Sequence, residues 1–189
     1  MKGNNLVIFA SGGGTNAENI ANYFKDHQTI HVAKILTNKK DAFVHQRAKK
    51  LGIPSSTFTK AAFKEQSFLK ILEGIDYVIL AGFLWLIPNY LIQAYPNKII
   101  NIHPALLPKF GGKGMYGEHV HQAVIKAREK DSGVTIHLVN EAYDQGKVLF
   151  QAKCEVNPED TPGMLAHKVH ELEYKYFPIV IEDYIQKQR

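Results

Sequence analysis

Short apolar runs alternate with segments of helical periodicity along most of this 189-residue chain. The first run, residues 5–10, is rich in apolar and β-branched side chains and reads as a strand buried in a parallel sheet. Strands that alternate with helices predict β-α-β units and hence a parallel sheet. Further strands are predicted at residues 31–37, 76–81 and 98–103. Helices are predicted at residues 16–27, 41–51, 61–72, 118–130 and 161–186, and the segment 84–95 is predicted to be helical after Pro88.

The C-terminal half adds a different pattern. Residues 134–139 and 147–156 are predicted strands joined by the loop 140–146. This connection is too short for a parallel crossover, so the two strands should pair antiparallel. The whole chain therefore predicts a three-layer α/β fold, with a mostly parallel twisted sheet, helices on both faces and an antiparallel strand pair near the C-terminus. No repeat or linker interrupts the pattern, and we expect one domain over residues 1–189.

Composition narrows the class of protein. Apolar residues make up 45% and charged residues 22%, which is typical of a soluble globular domain. The longest apolar stretch, residues 77–87, is shorter than the roughly 20 residues of a membrane-spanning helix. The apolar run before Ser11 is too short for a signal peptide, and the single Cys154 cannot form an internal disulfide. These features predict a cytoplasmic protein that does not contact a membrane.

The formal net charge of +5 is modest, and the basic residues are spread along the chain. A nucleic-acid-binding surface would be better supported by a clustered basic stripe. We therefore expect no nucleic-acid partner. A small anionic ligand is compatible with this charge, although the charge does not identify one.

A glycine-rich turn, Ser11-Gly12-Gly13-Gly14-Thr15-Asn16, follows the first strand. Glycine lets a backbone approach a ligand closely, and the N-terminus of the next helix attracts anions. These properties predict a phosphate site, and a tight turn without a ligand is the alternative. The turn also matches a dinucleotide pattern, but Thr37-Asn38-Lys39 lacks the acidic residue that would hold a ribose. A single phosphate is therefore favoured over a dinucleotide.

The predicted strand 98–103 ends in Asn101-Ile102-His103-Pro104. Residues two apart on a strand point to the same face, so Asn101 and His103 should project together. The carboxyl ends of parallel strands are where such sheets bind ligands. An amide and an imidazole can both donate hydrogen bonds to one oxygen, as a reacting carbonyl requires. The pair predicts a catalytic site, and a structural histidine is the alternative.

Asp144 lies in the predicted loop 140–146. If this loop folds over the strand end, the carboxylate should raise the pKa of His103 and keep it protonated. Asp144 could also take up a proton through a water molecule. A simple turn residue before Gln145-Gly146 is the alternative.

Two other features leave their interpretation open. His119 and His121, together with Cys154, suggest metal ligands, but their spacing does not match a zinc site, and we expect no metal. The apolar segment 81–86 follows a predicted strand. It could line a pocket for a flat aromatic ligand, or it could be ordinary core.

Four motifs resemble the folate-dependent formyltransferase family and, within it, the phosphoribosylglycinamide formyltransferases. The resemblance extends from Leu6 to about Tyr184, and the glycine-rich turn favours this branch over its relatives. The motifs are Ser11-Gly12-Gly13-Gly14-Thr15-Asn16, Ala81-Gly82-Phe83, Asn101-Ile102-His103-Pro104-Ala105-Leu106-Leu107-Pro108 and Asp144-Gln145-Gly146.

The resemblance implies transfer of a formyl group from 10-formyltetrahydrofolate to the amine of 5'-phosphoribosylglycinamide in de novo purine biosynthesis. Its partners would be these two small molecules, without a metal, and the protein would be a monomer or a weak homodimer. Transfer to a tRNA or to an amino sugar nucleotide is the nearest alternative, and a non-catalytic nucleotide-binding module is another.

The resemblance also implies roles for individual residues. The catalytic residues would be Asn101, His103 and Asp144. The ribonucleotide would be bound by Gly13, Gly14, Thr15, Asn16, His170 and Glu173, and the folate by Leu84, Trp85, Leu86, Ile87, Asn101, Asn140, Glu141, Ala142, Tyr143 and Asp144.

Overall fold

The computed structural model describes residues 3–188, which form two compact units that divide between Ile100 and Asn101. The first unit contains β1 (Asn4–Phe9), α1 (Thr15–Tyr23), β2 (Ile30–Thr37), α2 (Val44–Lys50), β3 (Ser55–Thr57), α3 (Lys60–Lys64), a 3-10 helix (Gln66–Leu72), β4 (Tyr77–Leu80) and α4 (Asn89–Ala94). Strand β5 (Ile99–His103) runs from the first unit into the second, which contains α5 (Glu118–Lys126), β6 (Asp131–Leu138), β7 (Val148–Glu155) and α6 (Pro162–Lys187). A single domain over residues 1–189 stays a prediction.

The strands of the first unit are hydrogen-bonded in the order β3-β2-β1-β4. The pairs β1–β2, β1–β4 and β2–β3 are all parallel. Strand β1 lies inside this sheet, and its side chains from Leu6 to Phe9 are fully buried. Burial on both faces explains why this strand is a continuous apolar run.

The second unit contains the antiparallel pair that the short loop predicts. Strands β6 and β7 pair antiparallel from Asp131 opposite Glu155 to His137 opposite Val148. The Leu138 amide donates to the Lys147 carbonyl at 2.9 Å, which closes the connection between the strands. The predicted fold class, a mostly parallel α/β sheet with an antiparallel pair near the C-terminus, is confirmed.

Helix α6 supports the second unit along its whole length. The Thr161 hydroxyl accepts a hydrogen bond from the Met164 amide at 3.3 Å and caps the helix, as is typical of threonine at this position. Its buried side chains recur at helical spacing, so one face of the helix is apolar. The prediction of a helix over residues 161–186 is confirmed. The apolar face includes Leu165, Val169, Phe177, Ile181 and Ile185.

The predicted helix 61–72 is wrong as a single element. It breaks at Glu65, whose backbone is extended, into α3 and the 3-10 helix. Phe63 and Phe68 both pack against the ring of Phe9, with centroid distances of 6.2 Å. On a continuous helix, residues five apart would lie about 140° apart around the axis and could not share one partner. The break brings both rings to the same core.

Two further differences concern short segments. Strand β3 is absent from the sequence prediction because Ser55, Ser56 and Thr57 show no apolar alternation. Helix α2 begins at Val44 and not at Asp41. Among residues 3–188, no helix is both long and apolar enough to cross a bilayer.

Candidate active site

His103 ends β5 in the second unit, and its side chain is only 3% exposed. Its Nε2 atom donates a hydrogen bond to the Phe110 carbonyl oxygen at 2.8 Å. Its Nδ1 atom faces Oδ2 of Asp144 at 3.5 Å. Both ring nitrogens therefore have defined neighbours, one a carbonyl and the other a carboxylate.

The prediction that Asp144 keeps His103 protonated is wrong. Burial lowers the pKa of the imidazole below its ordinary value, although the Asp144 carboxylate and the Phe110 carbonyl act to raise it. The effect of burial is larger because removing a charged imidazolium from water costs more free energy than its interactions with these two neighbours provide. At pH 7 the imidazole is therefore neutral, with its proton on the Nε2 atom that donates to Phe110.

Asp144 is positioned by the loop between β6 and β7. Within this loop, the Asn140 side chain accepts from the Ala142 amide at 3.1 Å and donates to the Gln145 carbonyl at 3.2 Å. The Asp144 backbone has a φ of 54°, and its Oδ2 accepts from the Gly112 amide at 2.9 Å. These contacts hold the carboxylate beside the end of β5.

Asp144 stays ionised despite its burial. Burial alone would raise the pKa of the carboxyl group. The neighbouring His137 and His103 rings and the hydrogen bond from the Gly112 amide outweigh that effect and hold the pKa below its ordinary value. The second unit thus keeps a carboxylate in a mostly buried position.

His137, on β6, completes this cluster and is absent from the sequence prediction. Its Nδ1 donates to the Leu138 carbonyl at 2.8 Å, so Nε2 is the acceptor for the Asn101 Nδ2 amide at 3.1 Å. The same Nε2 lies 3.6 Å from Oδ1 of Asp144. The available signal is a histidine that follows Ile136 and precedes Leu138 near the carboxyl end of a strand.

The glycine-rich turn lies in the first unit, between β1 and α1. Gly14 has a φ of 75°, and a Cβ atom there would lie 2.3 Å from the Val44 side chain, so only glycine fits. The Ser11 hydroxyl accepts from the Leu84 amide at 3.1 Å, and the Ser11 amide donates to the Gly82 carbonyl at 3.0 Å. The turn is therefore adjacent to the predicted folate-binding segment.

That segment alternates between exposed and packed side chains. Leu84 and Leu86 are exposed, while Ile87 is buried. The Trp85 ring packs against Phe58 and Phe63, with centroids 5.9 Å apart in both cases. The two leucines leave apolar surface open beside the Ser11 turn.

The remaining predicted binding residues lie in the second unit. On α6, Nε2 of His170 is 3.9 Å from Oε2 of Glu173, whose side chain is nearly buried. In the loop after β6, the Tyr143 ring is exposed close to Asp144 in the sequence. The second unit thus brings Asn101, His103, Asp144 and His137 into one cluster, and the first unit brings the glycine-rich turn and Leu84 together.

Among residues 3–188, no group of three or more His, Cys, Asp or Glu side chains could hold a metal ion. Cys154 is a free thiol, and burial raises its pKa. His121 points into the protein, with only 2% of the residue exposed.

His121 makes the fold sensitive to acid. Its pKa is lowered to about 4, chiefly by burial and further by His170. In the unfolded chain this histidine has a pKa near 6.5 and is protonated below that pH, whereas in the native state it stays neutral. The free energy of unfolding therefore falls as the pH drops from about 6.5 towards 4. We expect His121 to account for a loss of about 2 kcal/mol in the free energy of unfolding between pH 7 and pH 5.

Urea unfolding of wild type and His121→Leu at both pH values measures this contribution. In His121→Leu, most of this decrease in the free energy of unfolding between pH 7 and pH 5 should be absent. His167→Gln removes an exposed histidine and is the matched control, which should keep it. A variant with the wild-type pH dependence would assign the acid sensitivity to other groups.

Comparisons with known proteins all indicate the same family. The family model described as formyl transferase matches residues 4–181. Phosphoribosylglycinamide formyltransferase of Bacillus subtilis is 36% identical over 185 residues, which cover 94% of this chain and 92% of that protein. The crystal structure of the Bacillus halodurans phosphoribosylglycinamide formyltransferase has a TM-score of 0.88 and 34% identity, and the match covers 98% of this chain and 97% of that one.

A plant relative is longer. The chloroplastic phosphoribosylglycinamide formyltransferase of Arabidopsis thaliana is 44% identical over 185 residues, or 93% of this chain. The chain spans only 63% of that relative's length. The family model and the Bacillus subtilis relative both cover nearly all of this chain. The chain therefore belongs to the formyl transferase family.

Proposed function

We propose that this protein transfers the formyl group of 10-formyltetrahydrofolate to the amine of 5'-phosphoribosylglycinamide, as a step of de novo purine biosynthesis. The products are 5'-phosphoribosyl-N-formylglycinamide and tetrahydrofolate. The observation that carries the proposal is the cluster in which Asn101, His137, Asp144 and His103 are linked in series. The names of the relatives support the choice of acceptor.

The hydrogen-bond donors of Asn101 and His103 suit a reaction at a carbonyl group. Formyl folate, when bound, supplies an electrophilic formyl carbon. Asn101 uses one Nδ2 hydrogen for His137, which leaves its second hydrogen for the formyl oxygen. His103 donates from Nε2, the atom that holds the Phe110 carbonyl in the free protein. Two donors placed where negative charge develops stabilise the transition state most effectively.

Asp144 and the unprotonated Nδ1 of His103 transfer the proton that the attacking amine loses. The attacking amine must lose a proton, and Nδ1 of His103 is the basic atom closest to the carboxylate, at 3.5 Å. A proton that reaches Nδ1 through water converts the imidazole into an imidazolium, which Asp144 stabilises. The imidazolium then returns the proton to the leaving nitrogen. This role replaces the permanently charged His103 that the sequence predicts.

Each unit contains residues of the proposed binding sets. The glycine-rich turn offers backbone amides and the N-terminus of α1 to a phosphate. The carboxylate of Glu173 can accept hydrogen bonds from ribose hydroxyls, with His170 beside it. The exposed Leu84 and Leu86 and the polar loop after β6 fit an apolar ring with polar edges. The proposed ribonucleotide set is Gly13, Gly14, Thr15, Asn16, His170 and Glu173, and the folate set is Leu84, Trp85, Leu86, Ile87, Asn101, Asn140, Glu141, Ala142, Tyr143 and Asp144.

A competition among acceptors tests the proposal. The purified protein is given formyl folate with glycinamide ribonucleotide, with methionyl-tRNA or with an amino sugar nucleotide, and the formylated product is identified by mass spectrometry. We expect product with the first acceptor alone. Formylation of either other acceptor, or hydrolysis of formyl folate without any acceptor, would replace the proposal.

The compartment and the assembly state are also proposals. The single, free Cys154 and the dispersed positive charge support a cytoplasmic enzyme without a nucleic-acid partner. The Arabidopsis relative is named chloroplastic, which describes that protein alone. We propose a monomer or a weak homodimer, and sedimentation velocity over a range of concentrations distinguishes them.

A further inference from the structure

Helix α2 holds the glycine-rich turn by two carbonyl oxygens. The Val44 amide donates to the Gly12 carbonyl at 3.3 Å, and Nε of Arg47 donates to the Gly13 carbonyl at 2.9 Å. Both oxygens are therefore turned towards α2. The first contact comes from the backbone, whereas the second depends on one side chain.

The direction of a carbonyl fixes the direction of the next amide. In a planar trans peptide, the C=O of one residue and the N–H of the following residue point in opposite directions. Because the Gly12 and Gly13 carbonyls face α2, the amides of Gly13 and Gly14 face away from it. A Cβ atom built on Gly13 would meet nothing within 4 Å, so this part of the turn is open.

The Arg47 side chain is itself fixed and charge-balanced. Its guanidinium forms an ion pair with Glu18, in the first turn of α1, and lies 5.1 Å from the centroid of the Phe43 ring. An unpaired Glu18 carboxylate would repel an anion at the start of α1. Arg47 thus acts on the turn in two ways, by orienting a peptide and by neutralising a nearby negative charge.

We propose that Arg47 is a positioning residue for the phosphate group of the ribonucleotide, which it serves through the Gly13–Gly14 peptide without contacting the substrate. This inference rests on the proposed function. It identifies α2, which no part of the proposed binding set includes, as the element that orients the phosphate-binding amides.

The first test uses Arg47→Ala in the full-length protein. We expect the KM for glycinamide ribonucleotide to rise about tenfold, because a hydrogen bond from a charged donor and the neutralisation of Glu18 are both lost. The KM for formyl folate and kcat should stay within about twofold of wild type. Lys50→Ala removes the same charge from an exposed position on the same helix and should leave all three values unchanged.

A binding measurement separates this inference from the proposed function. Inorganic phosphate is titrated into the ¹⁵N-labelled protein, and the amide signals of Gly13 and Gly14 are followed by NMR. In wild type both signals should move with phosphate, and in Arg47→Ala the dissociation constant should be about tenfold higher. If phosphate binds in this way while glycinamide ribonucleotide is not formylated, the proposed function fails, whereas the role of Arg47 in orienting the phosphate-binding amides stands.

The double variant Arg47→Ala/Glu18→Gln separates the two effects of Arg47. It removes the repulsive carboxylate but leaves the Gly13 carbonyl without its donor. We expect phosphate binding to stay at least about fivefold weaker than in wild type. Full recovery of phosphate affinity would overturn the positioning role, as would wild-type KM and phosphate binding in Arg47→Ala.

Discussion

His103→Ala is expected to lower turnover about 10²–10³-fold, the usual effect of removing one donor to a developing oxyanion. Asn101→Ala should have a similar effect because its free Nδ2 hydrogen is the second donor. Each variant is measured in steady-state formyl transfer at saturating concentrations of both substrates. The double variant should lose less than the product of the two single losses because the donors act on the same oxygen.

Folding must be checked separately because His103 is buried. Circular dichroism and the phosphate titration described above report on the fold and on the first unit, and neither should change. His103→Gln is the matched variant, since its side-chain amide keeps an N–H donor without the basic Nδ1. Near-wild-type turnover in either alanine variant would refute the assignment of the donors.

Asp144→Asn is the second variant with a large expected effect, about 10²-fold in turnover. The carboxylate is the strongest influence that raises the pKa of His103, so its removal should lower that pKa further. The imidazolium that forms during proton transfer would then lack its stabilising partner. NMR titration of His103 in both proteins measures the change in pKa directly.

The asparagine is nearly isosteric and can still accept from the Gly112 amide, so the loop should keep its position. Glu159→Gln removes one exposed carboxylate of the second unit that belongs to no proposed binding set, and this control should keep full turnover. An unchanged His103 titration in Asp144→Asn would contradict the coupling between the two groups.

The parts of the fold that the sequence predicts are those in which local pattern and tertiary packing agree. Strand β1 is apolar throughout because both faces are buried, and α6 carries its buried residues on one face. The short β3 has no such pattern, and its identity depends on pairing with β2. The break at Glu65 depends on Phe9, which is distant in sequence, so no local pattern predicts it.

The candidate site shows the same division. Asn101 and His103 are found from spacing because a strand places them on one face. His137 is missed because its contact with Asn101 joins two strands, and strand pairing is not visible in the sequence. The charge of His103 is predicted wrongly because burial lowers the pKa of the imidazole by more than the nearby Asp144 raises it, and the extent of burial depends on tertiary packing.

The hydrogen bond from His103 to the Phe110 carbonyl has a kinetic consequence. A single N–H serves one strong acceptor at a time, so a formyl oxygen and this carbonyl exclude one another at Nε2. Productive binding of formyl folate must therefore break the hydrogen bond between the His103 ring and the Phe110 carbonyl. The onset of catalysis is then tied to how readily the backbone at Phe110 moves.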